Sequence, residues 1–190
     1  LTESGDFATL DLRKAANSIS DQPMFTPATD PGGHHERLLF EKWGRQTFDG
    51  VPYYVLDPKA GSTPNLIMLH SPSSEVVKKN ARSVSVPCGR PASAIHLLSG
   101  VSGWGHPIGK VGSTSMIVRV HYAGGETEDH TLKNGLHFAD YIREIEVPES
   151  RLAFKLGPRQ LRQLTIHPKQ PEVIESIEFI KGDDKSAPIV

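Results

Sequence analysis

The chain has 190 residues, of which 37% are hydrophobic and 23% charged, with a formal net charge of −1. That length buries one substantial core, and the near-neutral charge withholds the basic field that non-specific nucleic-acid binding requires. No apolar run approaches the length of a membrane span, and a single cysteine, Cys88, rules out an internal disulfide framework.

Residues 1–10 lack the charged-then-apolar pattern of a secretion signal. A chain starting with Leu1 reads as a mature fragment or an excised domain. Glycine and proline, 17 and 15 in number, punctuate it at the short intervals that short strands and turns require. In chain order the pattern predicts strands over residues 7–12, 46–48, 53–56, 66–70, 82–86, 94–98, 115–122, 126–132, 151–156, 160–167 and 173–180. Helical periodicity is nearly absent, with single turns expected over 11–16 and 137–142. Residues 18–41, rich in Pro, Gly and Asp, read as a long irregular loop. The expected fold is all-β: an antiparallel β-sandwich of jelly-roll type occupying residues 1–181. Residues 1–45 form its irregular N-terminal arm, and 182–190 a tail or linker.

The clearest local signal is a hairpin. Met116, Val118, Val120 and Tyr122 alternate with Ile117, Arg119 and His121, and Gly124-Gly125 reverses the chain. A two-residue turn there sets Tyr122 opposite Thr127, His121 opposite Glu128, Val120 opposite Asp129 and Arg119 opposite His130. Asp129 then shares the apolar face, and so either projects past the sandwich or finds a partner.

Several short motifs occur in order: residues 7–17 (FATLDLRKAAN), 48–53 (FDGVPY) with Leu56-Asp57-Pro58, 94–100 (AIHLLSG) and 118–126 (VRVHYAGGE). The series resembles the galactose-binding-like β-sandwich modules of large secreted bacterial proteins, over about residues 7–181. Tyr53 stands where that pattern has Phe, and Gly124 where it commonly has Asp. The resemblance implies a non-catalytic, extracytoplasmic accessory domain, periplasmic or secreted, whose partners are carbohydrate or other domains of a parent chain, glycoside hydrolase or haem and dehydrogenase units among them. It transfers no individual ligand residue.

Among candidate sites, residues 99–109 (SGVSGWGHPIG) form the best binding loop. Trp104 offers a flat face for the C–H side of a sugar ring and His106 a hydrogen bond, or Trp104 plugs the end of the sandwich. His137, Asp140 and Tyr141 either line a polar cleft or form a network that fixes a loop. An Asp140–His137 hydrolytic centre is the third reading. Glu126, Glu128, Asp129 and His130 read as a solvated hairpin, because alternate strand residues point apart. A structural calcium ion built partly on backbone carbonyls stays open, and no other cofactor is expected. His34-His35-Glu36 begins like a zinc motif but has Leu39 where the second His belongs. Gly109-Lys110 lacks the spacing of a phosphate loop. Lys155, Arg159 and Arg162 read as a solvated basic face, and Cys88 as a small buried residue.

Overall fold

A computed structural model describes residues 3–4, 7–30 and 36–190. The His34-His35 motif therefore lies outside the described residues. Among the described residues twelve strands follow in order: β1 Glu3–Ser4, β2 Phe7–Ala8, β3 Gly44–Phe48, β4 Val51–Val55, β5 Ser83–Arg90 and β6 Ile95–Ser102. Then come β7 Thr114–Tyr122, β8 Thr127–Lys133, β9 Arg151–Leu156, β10 Arg159–Ile166, β11 Ile174–Lys181 and β12 Ala187–Ile189. The fold is an antiparallel β-sandwich. One sheet has the order β12-β6-β10-β9 and the other β5-β11-β7-β8, with β1–β2 and β3–β4 as separate two-stranded pairs.

Alternation builds the core between the sheets. Ile95, Leu97 and Val101 of β6 face Met116, Val118 and Val120 of β7, with Val86, Ile177 and Phe179 beside them. Each such side chain contributes about 1.5–3 kcal/mol on burial. The opposite face of β5-β11-β7-β8 is polar: Arg119 forks onto Asp129 at 2.7 and 2.8 Å, and His121 meets Glu178 at 3.0 Å.

The β12-β6-β10-β9 sheet is buried on both sides. Its outer face carries Tyr141, Leu161, Ala187 and Ile189, covered by Met24, Phe25 and Leu38 of the N-terminal arm. The arm is held by Asn65, whose side chain accepts from the Ser20 N–H at 2.8 Å and donates to the Leu56 carbonyl at 2.9 Å. Two-sided burial explains the run Leu66-Ile67-Met68-Leu69. Ile67 and Leu69 point to the inter-sheet core, Leu66 and Met68 to the outer one. Backbone bonds from Ile67 and Leu69 to Val190 and Pro188 lay this segment along β12.

Four expectations are corrected. Residues 182–190 are not a loose tail, because Ala187–Ile189 pairs with β6 and is fully buried. The hairpin turn has three residues, not two. Tyr122 bonds Glu126, with Gly125 at φ +90°, so Arg119 faces Asp129 and Val120 faces Glu128. The carboxylate on the apolar face is thus Glu128. It accepts from Tyr122 Oη at 2.7 Å and the Lys169 N–H at 3.0 Å, with His130 Nε2 at 2.8 Å. Burial alone would raise Glu128, but these donors hold it below the ordinary value. Arg162 is not solvated: its side chain is 1% exposed, bonded to Ser150, Glu146, Gln160 and the Ile145 carbonyl. The bulge between Leu161 and Arg162 shifts the register there. Cys88 is half-buried on the core's margin.

The crossover from β11 to β12 carries the chain between sheets. There the Lys181 side chain, 1% exposed, donates to Asp184 Oδ1 at 2.9 Å and to the carbonyls of Gly182 and Asp184 at 3.1 and 2.8 Å. Asp184 also accepts from the Ser115 and Ser186 hydroxyls. Burial pushes its carboxyl up, but these donors and Lys181 outweigh it and hold the pKa below the usual aspartate value. Lys181→Ala is expected to cost about 3–5 kcal/mol in urea unfolding, because it strands a buried carboxylate. With a lowered folded-state pKa, the Asp184 contribution is complete above the ordinary aspartate range and is lost as pH falls through the folded value. Acid unfolding of Asp184→Asn should accordingly show a shallower loss below about pH 4 than the parent chain.

Candidate functional site

The Trp104 loop connects β6 to β7 and sits where the β11–β12 crossover also passes: the N–H groups of Gly182 and Asp184 bond the carbonyls of Ser115 and Thr114 at the start of β7. The segment between β8 and β9 starts at the same end. Loops from both sheets therefore converge there.

Two side chains hold the Trp104 loop. Asp140 accepts from the Gly105 N–H through Oδ2 at 3.0 Å and from the Ile142 N–H through Oδ1 at 3.3 Å. Its own N–H returns to the His106 carbonyl at 3.0 Å. Asn134 accepts from the His106 N–H at 2.7 Å and donates to the Lys110 carbonyl at 3.0 Å. Both hubs are buried, which strengthens these bonds and makes their loss costly. Desolvation raises the Asp140 pKa, opposed by the N–H groups of Ile142, Gly105 and Trp104.

The loop glycines serve close packing against protein. A Cβ at Gly103, which has φ +78°, would overlap the Phe25 ring. One at Gly109 would overlap the Trp104 carbonyl oxygen. Trp104 itself has φ +70°. A non-glycine residue there stores about 1–2 kcal/mol of strain, which the surrounding bonds overcome. The outcome is an indole held outward: Trp104 is 63% exposed, so it does not plug the sandwich. Ile108 and Val111 of the same loop are also exposed.

The predicted site residues separate by role. Trp104 and His106 share the outer loop. His106 is half-exposed, with its Nδ1 buried and without a hydrogen-bond partner among the described residues. His137 lies in the turn that begins at Lys133, and its Nδ1 accepts the Lys133 N–H at 3.1 Å, which places the ring proton on Nε2. Burial lowers its pKa. Asp140 is buried and positions the loop from beneath. Tyr141 is corrected as a ligand contact: its ring is 0% exposed among Met24, Phe25 and Leu38, where burial raises the phenol pKa.

A concavity away from the Trp104 loop was invisible in the sequence. A cleft of about 1030 Å³ runs between the arm, β4 and the start of β6, with Phe7, Leu10, Tyr53, Tyr54, Ile95 and His96 among its walls. Arg13 binds Asp11 through both carboxylate oxygens and pulls it down to about 2. Burial, with His167 nearby, lowers His96. The cleft arises because the arm closes over strand edges far away in sequence. The one local trace is the alternation of buried Tyr53 with exposed Tyr54. Among the described residues no cluster of three or more His, Cys, Asp and Glu side chains is arranged to hold a metal ion.

No family model matches the chain, nor does any curated protein or solved structure.

Asp140→Ala, which leaves the Gly105 and Ile142 N–H groups without their acceptor, is expected to cost about 1–3 kcal/mol. Amide hydrogen exchange should show protection lost at both positions while the β7–β11 ladder stays protected. Gly103→Ala should destabilise the fold more than Gly124→Ala. The first adds a left-handed Cβ against Phe25, whereas the second meets only the end of the Glu172 side chain. Chemical denaturation compares the two.

Proposed function

We propose that the chain is a non-catalytic, carbohydrate-binding accessory module of a larger extracytoplasmic protein, of the galactose-binding-like kind its sequence resembles. The observation that carries this reading is the outward indole of Trp104 on a loop braced by Asp140 and Asn134. A sugar ring stacks its C–H face on such an indole, and His106, on the same loop, supplies a polar contact. A braced platform loses little conformational entropy on binding.

A hydrolytic centre at His137 and Asp140 finds no support. Asp140 is buried and engaged with backbone N–H groups, and His137 Nδ1 is occupied by the Lys133 N–H. Among the described residues neither bonds the other, and neither bonds a Ser, Thr or Cys side chain that could serve as a nucleophile.

A second reading, docking against another domain of the parent protein, is favoured by one observation: Ile108 and Val111 extend the exposed apolar surface of Trp104. The two readings part on the ligand. Monovalent stacking on one aromatic gives affinity of about −4 kcal/mol, near millimolar, and gains from tethering to a parent enzyme.

On a glycan array the chain should be retained on at least one saccharide class. Trp104→Ala should abolish that retention while leaving the melting temperature within about 2 °C. Unchanged retention in the variant, or retention on no saccharide, contradicts the reading.

A further inference from the structure

The face around Trp104 carries a local charge imbalance. Lys110 and Arg143 are exposed and Lys133 half-exposed, and none of the three forms an ion pair or side-chain hydrogen bond among the described residues. The loop hubs fix the backbone at or beside all three. The Lys110 carbonyl is held by Asn134, whose preceding residue is Lys133. Arg143 follows Ile142, whose N–H is held by Asp140 Oδ1 at 3.3 Å.

The acids of the same segment are largely engaged. Asp140 is buried under the loop. Glu144 pairs with Lys155 at 2.6 Å, and Glu146 with Arg162 at 2.9 Å. Two acids remain at this end: Glu149, whose charge acts on the half-buried His137, and the exposed Asp183 of the β11–β12 crossover, against three cations. The whole chain has a formal charge of −1, so this excess of free cations is a property of the face and not of the composition.

We propose that the Trp104 face takes an anionic saccharide: the indole stacks on the pyranose ring while Lys110, Lys133 and Arg143 receive its carboxylate or sulfate groups. An arginine fork matches either oxyanion through paired N–H donors, and lysine serves as a mobile point charge. The inference rests on the reading of this face as a glycan contact, and the experiment separates the two.

The full chain is titrated with polygalacturonate, its fully methyl-esterified form, a sulfated galactan and a neutral galactan, at salt concentrations of ~0.05 and ~0.5 M. Polygalacturonate or the sulfated galactan should bind at least about tenfold tighter than the uncharged polymers, with the advantage shrinking at high salt. Whichever acidic polymer binds tighter identifies the oxyanion. Lys110→Ala combined with Arg143→Ala should remove the advantage of the acidic polymer, and Trp104→Ala should remove binding to all. Both basic positions are exposed, so the double variant should fold as the parent does. Equal, Trp104-dependent binding of acidic and uncharged polymers overturns the charge inference and leaves the glycan reading standing. Binding of acidic polymers that survives Trp104→Ala overturns it as unspecific polyanion attraction. No binding to any polymer sinks both.

Discussion

The Trp104 face depends on one buried carboxylate. Asp140 sits beneath the β6–β7 loop and gathers the N–H groups of Gly105 and Ile142, while its own N–H closes on His106. Without it, Trp104 has no reason to hold a left-handed backbone and an outward ring. Burial makes the arrangement expensive to break, since each orphaned N–H forfeits its full desolvation cost. Asn134 repeats the device from the other side of the loop. Tyr141, the next residue after Asp140, anchors the same strand-like segment in the outer core. Rigidity at the surface is therefore inherited from packing below.

That packing is possible because one sheet is buried on both faces. The arm supplies Met24, Phe25 and Leu38, and the segment at Leu66–Leu69 contributes alternate residues to both cores. Phe25 also reaches under Gly103, so the arm and the Trp104 loop are in direct contact. Strand β12 lies at the edge of this sheet, lined by residues 66–69, and the Lys181–Asp184 clasp sends the chain there. A chain built this way presents loops at one end of the sandwich, with two cores behind them.

Much of the sandwich was legible from residue order, because strands with one wet face must alternate. β7 and β11 fall where Val118, Val120, Ile177 and Phe179 alternate with Arg119, His121, Ser176 and Glu178. The misses have physical causes. A third residue in the Tyr122–Glu126 turn shifts the register by one and exchanges the roles of Glu128 and Asp129. Residues 187–189 are too short to show a period, so their burial between β6 and residues 66–69 left no trace. Arg162 looks like a surface cation until the bulge and the 145–150 segment surround it. For the site, the aromatic and the glycines around it were readable as a loop. What those glycines approach was not: Phe25 and the Trp104 carbonyl are set by tertiary closure. The same closure makes the cleft beside Tyr53 and Tyr54.

The central claim is that ligand meets the Trp104 loop end and not that cleft. A titration of the isotope-labelled chain with an acidic oligosaccharide, followed by amide and indole N–H chemical shifts, tests it most directly. The account predicts perturbation centred on the Trp104 indole, Gly105, His106, Lys110 and Arg143, with β4 and residues 7–13 silent. Perturbation confined to Tyr53, Tyr54 and His96 would place recognition in the cleft and contradict the account.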